Sequence, residues 1–281
     1  MLKTARIVFE DEQILVVDKP AGVVVNRAGT IKEETVQDWL AENFQFSIFN
    51  FQNSRHGIVH RLDRETSGLL LVAKTQKAFD FLQKEFRERQ VKKEYIALVH
   101  GKVKEREGSI EAKIGRIGKF GKFGVIKERY HNVRVSGWGV DGRRITITSD
   151  RGKESKTDYK KVSSFQFPVS SLEKMVGQFT KSRVSYLKHH AVDYTLLNVF
   201  PKTGRTHQIR VHLKSIGHPV VSDLIYAPGK LLKFDLMWCP RLFLHASKLV
   251  FSHPKSRKKV QFSSDLPNDL KQALSFLTLL R

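Results

Sequence analysis

The chain has 281 residues, of which 40% are hydrophobic and 10% aromatic, and this composition excludes an intrinsically disordered protein. Its length is compatible with one large domain or two small ones. Lysine and arginine number 50 against 28 aspartate and glutamate residues, so the net charge is +22. A charge of this size predicts attraction to a polyanion such as nucleic acid or an anionic membrane surface.

The positive charge is concentrated in the second two thirds of the chain. Residues 1–100 carry 15 basic and 14 acidic side chains, residues 101–190 carry 21 and 9, and residues 191–281 carry 14 and 5. We therefore expect the polyanion to lie against residues 101–281.

The sequence carries no sign of secretion or membrane insertion. Cys239 is the single cysteine, which excludes an internal disulfide framework and fits a reducing compartment. The N-terminal residues run into acidic side chains by position 12 and lack an apolar secretory segment. No apolar run reaches the length of about 18 residues that a membrane span needs. The expected location is cytoplasmic.

The first hundred residues predict short strands and two helices. Runs of β-branched residues bounded by turn residues indicate strands, and apolar residues at helical spacing indicate helices. Thr75 can cap the second helix. The predicted elements are strands at 7–9, 14–17, 23–25, 69–73 and 93–99, and helices at about 34–44 and 75–90.

The rest of the chain predicts basic loops, further strands and two helices. One helix runs from Thr206 to about Ile216, buries Ile209, Leu213 and Ile216, and ends at Gly217. Strands outnumber helices and follow one another in hairpins, which favours an α+β fold with a mixed, mostly antiparallel sheet and flanking helices. The other predicted elements are strands at 144–148, 156–162, 192–200, 242–245 and 249–251, and a C-terminal helix at about 267–280.

A polar loop before the strand at 69–73 is the first candidate site. Asp63 stands there between Arg61 and Arg64, whose guanidinium groups favour an ionised carboxylate. An ionised, positioned aspartate can attack an electrophilic carbon or hold a substrate hydroxyl. A surface ion pair beside a turn is the alternative interpretation.

The second candidate site is the start of the helix at 206–216. The Gly204–Arg205 turn offers free backbone N–H groups and the positive end of a helix dipole, which suit a phosphate. Arg210 lies one turn further on and can pair with a carboxylate across the sheet. An exposed basic helix face is the alternative.

Tyr95 lies between apolar neighbours on the strand at 93–99. It is either a core residue with its hydroxyl at an edge or a ring that stacks on a base. The eleven histidines do not form a metal-ligand motif, and the chain has neither a Walker loop nor a dinucleotide fingerprint. We therefore expect no metal and no nucleotide cofactor.

Taken in order, five segments of the chain resemble the RluA-type pseudouridine synthases. The resemblance implies a pseudouridine synthase fold with a central catalytic cleft. It also implies an enzyme that needs no cofactor and turns uridine in rRNA or tRNA into pseudouridine. The matching segments are residues 18–22, 60–63 with 66–68, 93–97, 203–212 with 217–219, and 244–246.

The resemblance also assigns roles to individual residues. Asp63 corresponds to the catalytic aspartate, Tyr95 to the active-site tyrosine, and Arg210 to the arginine that pairs with the aspartate. Arg61 matches the position that helps to displace the target base. The residues expected to contact RNA are Arg61, Arg64, Arg205 and His207.

The chain departs from the family pattern in its basic insertions near 114–143 and 164–190, and at Asn26, Arg27 and residues 222–227. We expect a single catalytic domain over residues 1–281, without an N-terminal S4 RNA-binding domain, that acts as a monomer. The aspartate either attacks C1′ or acts with a base that removes a C2′ proton. Two other classes remain as alternatives, namely a non-catalytic RNA-binding protein of the same fold and a metal-dependent nuclease.

Overall fold

The computed structural model describes most of the chain. Parts of the predicted insertions near 114–143 and 164–190 lie outside the described residues. For residues 135–138 and 144–147 the description covers the backbone. The described residues are 5–29, 31–46, 55–117, 122–126, 135–138, 144–147, 152–168, 171, 175 and 179–280.

Thirteen strands and six α-helices make up the described part of the chain. The strands are β1 (Arg6–Glu10), β2 (Ile14–Lys19), β3 (Ser67–Ala73), β4 (Lys92–His100), β5 (Glu107–Arg116), β6 (Phe123–Ile126), β7 (Val135–Trp138), β8 (Arg144–Ile147), β9 (Lys153–Gln166), β10 (Asp193–Pro201), β11 (Leu244–Ser252), β12 (Lys259–Ser263) and β13 (Thr278–Leu280). The helices are α1 (Val36–Asn43), α2 (Gln76–Arg87), α3 (Lys181–His190), α4 (Gln208–Ser215), α5 (Gly229–Asp235) and α6 (Asn268–Ser275).

Within the described ranges, eleven strands form one sheet in the order β1-β2-β3-β11-β4-β10-β9-β5-β6, with β12 on β11 and β13 on β9. Strands β7 and β8 form a separate hairpin. The β3–β11 pair is parallel, and the other described pairs are antiparallel. The predicted mixed, mostly antiparallel sheet with flanking helices is confirmed.

The centre of the sheet is buried because its strands are apolar on both faces. All seven residues of β3 are buried, and α2 packs against this strand through Ala78 and Leu82. Thr75 caps α2 as predicted, since its hydroxyl accepts a hydrogen bond from the Ala78 N–H at 3.2 Å. Among the described helices the longest has 12 residues, and none combines the length and hydropathy of a membrane span.

Two of the predicted elements near the chain ends are wrong. Residues 23–25 form no strand, because the carbonyl groups of Val24 and Val25 accept the N–H groups of Val36 and Gln37 at the start of α1. The C-terminal helix ends at Ser275 instead of about 280. Residues Thr278–Leu280 form β13 on the edge of β9.

The prediction of basic loops over residues 101–190 is also partly wrong. Strand β9 has 14 residues, and β5 has 10. In β9 the buried residues are the polar or aromatic Ser155, Thr157 and Tyr159, which alternate with exposed or half-buried residues. This period-2 pattern is that of a strand, but its inward side chains are too polar for the strand to be recognised by hydrophobicity.

Gly68 provides a test of the β3–β11 contact. Its φ is +113°, and a Cβ at this position would overlap the backbone oxygen of Ala246 on the parallel strand. We expect Gly68→Ala to lower the free energy of unfolding by about 3 kcal/mol or more and the melting temperature by roughly 5 °C. The control is Gly229→Ala, where a Cβ meets no atom within 4 Å. Equal melting temperatures of the two variants would contradict this account of β3.

Candidate active site

A cavity of about 550 Å³ opens at the middle of the sheet, a size typical of sites for small molecules. Its walls come from the loop before β3, the end of α2, the start of β4, and the turn between β10 and α4. Asp63, Tyr95 and Arg210 all line this cavity. The three residues that the family resemblance marks as catalytic therefore meet in one cleft, although they lie on separate elements.

The loop that carries Asp63 is fixed to the protein through backbone hydrogen bonds. The Thr66 N–H donates to the Asp63 carbonyl at 3.1 Å, and the Gly22 N–H donates to the Arg64 carbonyl at 2.9 Å. The fully buried Lys19 donates from Nζ to the carbonyl groups of Pro20, Val23 and Arg64 at 2.7, 2.9 and 3.1 Å. Segment 18–22 thus clamps the loop immediately after Asp63.

Burial lowers the pKa of Lys19 to about 7, although the nearby carboxylates of Glu65 and Asp63 oppose this shift. Its three carbonyl partners use all three donors of the ammonium group. Lys19 therefore stabilises the loop and has no donor left for a molecule in the cavity.

Arg210 joins two carboxylates in the wall of the cavity. Its Nε and Nη2 each donate to one oxygen of Asp223 at 2.7 Å, and its Nη1 donates to Asp63 Oδ2 at 3.3 Å. Asp223 is fully buried, and its Oδ1 also accepts the N–H groups of Ile225 and Tyr226. The bidentate contact fixes the plane of the guanidinium group, so that one N–H remains directed at Asp63.

Burial alone would lower the pKa of Arg210, but the hydrogen bonds and charges of Asp223 and Asp63 outweigh it and raise the pKa. The guanidinium group is 4% exposed, whereas the Asp63 side chain is 18% exposed. Asp63 is thus the member of this network that can reach a molecule in the cavity.

Tyr226 supports Arg210 from the side. The guanidinium carbon lies 5.1 Å from the centre of the Tyr226 ring. The Tyr226 hydroxyl is 2.9 Å from His207 Nδ1 and accepts the Phe123 N–H at 3.1 Å. Burial lowers the pKa of His207, against the opposing charge of Asp63. The hydrogen bond from the Phe123 N–H to the Tyr226 hydroxyl links β6 to the cavity wall.

Tyr95 is 9% exposed and lines the cavity from β4. Burial raises the pKa of its hydroxyl well above the usual value, and the charge of Asp63 adds to the shift, so the phenol stays protonated at neutral pH. Next to it, Ser247 is an extra residue on β11 between the pairs Ala246–Tyr95 and Lys248–Glu94. Such a bulge increases the local twist of a sheet beside a site.

The polar side of α4 is buried, which excludes the exposed basic helix face. His212 Nε2 and Nδ1 each lie 2.9 Å from a hydroxyl of β9, those of Ser155 and Thr157. Helix α4 begins at Gln208, two residues later than predicted, and Ile216 is 39% exposed instead of buried. The backbone N–H of Arg205 is not free for a phosphate, contrary to our expectation, because it donates to the Gln208 side chain at 3.0 Å.

The four residues expected to contact RNA do not all lie together. Arg61, Arg205 and His207 line the cavity. Arg64 does not, because its guanidinium group donates to the Gly22 carbonyl and to Glu33 at 3.1 Å. Among the described contacts neither Arg61 nor Arg64 pairs with Asp63. The cation hydrogen-bonded to Asp63 is Arg210 of α4, and not one of its two sequence neighbours.

Two half-buried basic side chains of the cavity, His60 and Lys93, were not singled out as site residues by the sequence. His60 Nε2 accepts the Leu71 N–H at 3.0 Å, and the ring stacks on Phe86. Burial lowers the pKa of His60 to about 3, with a smaller effect of the Lys93 charge, so the ring is neutral. Lys93 lies two residues before Tyr95 on β4. Asp223 was not predicted as a site residue either. Its segment, residues 222–227, was noted from the sequence only as a departure from the family pattern.

Comparisons with known proteins identify the family of this chain. A family model described as RNA pseudouridylate synthase matches residues 13–215. The Bacillus subtilis protein named uncharacterized RNA pseudouridine synthase YlyB is 34% identical over 272 residues, which are 96% of this chain and 72% of that protein. The ribosomal large subunit pseudouridine synthase D of Nitrosomonas europaea is 36% identical over 94% of this chain, which spans 63% of the length of that relative.

Solved structures give the same result. The human RNA pseudouridylate synthase domain containing 1 aligns with a TM-score of 0.67 at 26% identity, over 100% of this chain and 90% of that chain. The human RNA pseudouridylate synthase domain containing 4, at 21% identity and a TM-score of 0.64, shares the fold over 96% of this chain and 93% of that chain. The chain therefore belongs to the RNA pseudouridylate synthase family, and it is an RNA pseudouridine synthase, an intramolecular isomerase.

Proposed function

We propose that Asp63 is the catalytic residue with which this protein isomerises uridine in RNA. The observation that carries the proposal is the position of its carboxylate, which lies in the cavity and is hydrogen-bonded to the buried Arg210 at 3.3 Å. Isomerisation breaks the N1–C1′ bond and rejoins the ring through C5, so no external group has to be supplied. A carboxylate serves both routes to this product, by attack on C1′ or by acting with a base at C2′.

Arg210 and Tyr95 act with Asp63 in this proposal. Arg210 orients the carboxylate, because its own orientation is fixed by Asp223. Tyr95 presents a protonated phenol ring on which the extruded uracil can stack. A base inside paired RNA cannot reach such a cavity, so the nucleotide has to be flipped out of the helix.

The rim of the cavity suits the phosphates that flank a flipped nucleotide. Four exposed cations line it, and the net positive charge of residues 101–281 adds to the attraction of the protein for RNA. We propose that Arg61 enters the gap left by the base, with Arg205 and His207 as further RNA contacts. The exposed cations of the rim are Arg61, Arg87, Arg89 and Lys202.

We further propose that the substrate is ribosomal RNA, modified in the cytoplasm by a monomer. The support for ribosomal RNA is the name of the Nitrosomonas europaea relative, which specifies the large ribosomal subunit. The support for a monomer is that Asp63, Tyr95 and Arg210 all come from one chain.

Replacing Asp63 tests the central proposal. Asp63→Asn keeps the size of the side chain but removes the carboxylate, so we expect pseudouridine formation to fall by about 10⁴-fold or more. RNA affinity should stay within a few-fold of the wild-type value. Single-turnover conversion of total RNA and a filter-binding assay measure the two quantities. The control is Asp80→Asn on the exposed side of α2. An active Asp63→Asn enzyme would rule out the role of Asp63.

Arg210 can be compared with a second arginine of similar geometry. Arg241 forms a bidentate pair with Asp269 at 2.6 and 2.9 Å but does not line the cavity. Lysine cannot reproduce two parallel hydrogen bonds, so each Arg→Lys variant should lower the melting temperature. We expect Arg210→Lys alone to slow pseudouridine formation at saturating RNA, by roughly 10²-fold. Equal rates for the two variants would contradict the positioning role.

The substrate proposal is tested by mapping pseudouridine in cells with and without the gene. We expect at least one site in large-subunit ribosomal RNA to be lost in the deletion strain and restored by the wild-type protein, but not by Asp63→Asn. If the lost sites lie in transfer RNA alone, the ribosomal proposal is wrong and the catalytic proposal stands.

A further inference from the structure

Lys93 is a half-buried cation on the same wall of the cavity as Tyr95. The two residues are two positions apart on β4, and side chains at this spacing point to the same face of a strand. Both line the cavity together with Asp63. Lys93 therefore faces the volume that the extruded uracil ring would occupy.

The hydrogen bonds of Lys93 leave most of its ammonium group unused. Its Nζ donates to the Thr203 carbonyl at 3.3 Å, and an ammonium group has three donors. Lys19, which is fully buried, has a carbonyl partner for each of its three donors. Lys93 thus retains two donors for a further partner.

Within the part of the chain that the structure describes, the half-buried Lys93 has no counter-ion, and its polar contact is with the Thr203 carbonyl. Removing an unpaired charge from water is unfavourable, and proteins normally avoid it unless a ligand supplies the partner. Arg210, a fully buried cation of the same cavity, is already paired with Asp223 and Asp63. The four rim cations are exposed, where phosphates can reach them.

We propose that Lys93 is a second catalytic residue, whose ammonium group donates hydrogen bonds to a carbonyl oxygen of the extruded uracil and stabilises the negative charge that develops on the ring. The inference deepens the proposed function and rests on it. Such stabilisation is strong in a site from which water is excluded.

The chemical step balances without another reactant. When the N1–C1′ bond breaks, its electron pair passes to the uracil ring and is shared between N1 and the carbonyl oxygens. The ring then turns and C5 forms the bond to C1′, from which the Asp63 carboxylate leaves when it has attacked there. The proton on C5 is released to solvent and N1 takes up a proton, so reactant and product have the same composition. Lys93 keeps its protons throughout, because it supplies charge and hydrogen bonds and does not transfer a proton.

The protonation state of Lys93 is compatible with this role. Burial lowers its pKa to about 8, so the cation still predominates at pH 7. His60 and Tyr95, which line the same cavity, are both uncharged at neutral pH, so neither forms an ion pair with the Lys93 ammonium group.

The test is Lys93→Ala in the full-length protein, assayed in single turnover at saturating RNA. We expect the rate of pseudouridine formation to fall by about 10²- to 10³-fold while the RNA dissociation constant stays within threefold. Added ethylammonium chloride should restore part of the rate, since it places an ammonium group in the space left by the side chain. Sodium chloride at the same ionic strength should not.

The matched control is Lys77→Ala, an exposed lysine of α2 that does not line the cavity. We expect it to leave RNA binding and the rate at saturating RNA unchanged and to show no response to ethylammonium. Melting curves establish that each variant is folded. If Lys93→Ala does not fold, Lys93→Met keeps the apolar stem and should show the same loss of rate with RNA affinity retained.

Three results would overturn the inference. They are a wild-type rate in folded Lys93→Ala, a defect confined to RNA affinity, and a slow Lys93→Ala enzyme that ethylammonium does not accelerate. The last result would indicate that Lys93 only holds the Thr203 carbonyl. If the wild-type protein itself converts no uridine, the proposed function fails first, and this outcome is distinct from all three.

Discussion

The arrangement of the cavity depends on the ion network in which Arg210 lies between Asp223 and Asp63. A buried guanidinium group without a carboxylate partner is strongly unfavourable, so the fully buried Asp223 is a condition for placing Arg210 in the wall at all. Asp223 accepts hydrogen bonds from Nε and Nη2 of the guanidinium group, and Nη1 donates to Asp63. Asp63 and Arg210 are 147 positions apart, so this contact holds the loop before β3 against α4.

Several basic side chains are partly or fully buried around this network. Each compensates in a different way for the hydrogen bonds to water that it loses. His60 is neutral and accepts a backbone N–H, Lys19 donates to three carbonyls, and Arg210 is paired with carboxylates. Lys93 has a single carbonyl, which distinguishes it from the other three.

The sequence predicted much of the site, but local charge patterns misled where a distant partner decides the geometry. Asp63, Tyr95 and Arg210 were identified through ordered family segments, whereas the charge pattern around Asp63 drew attention to Arg61 and Arg64, neither of which pairs with it among the described contacts. The role of Asp223 could not be predicted from its neighbours in the sequence, because it depends on the contact with Arg210 that forms in the folded protein. The predicted length of strand β9 was too short for the same reason. Its inward hydroxyls at Ser155 and Thr157 are polar because His212 of α4 lies against them.

The parallel contact between β3 and β11 bears on how the site is assembled. In the sheet β11 lies between β3 and β4, so the first three strands have no hydrogen-bonded connection to β4 until β11 exists. Strand β11 begins at Leu244. Among the described strands β11 alone joins the strand after the Asp63 loop to the strand that carries Tyr95, so the two residues are brought together only when β11 has paired with both strands.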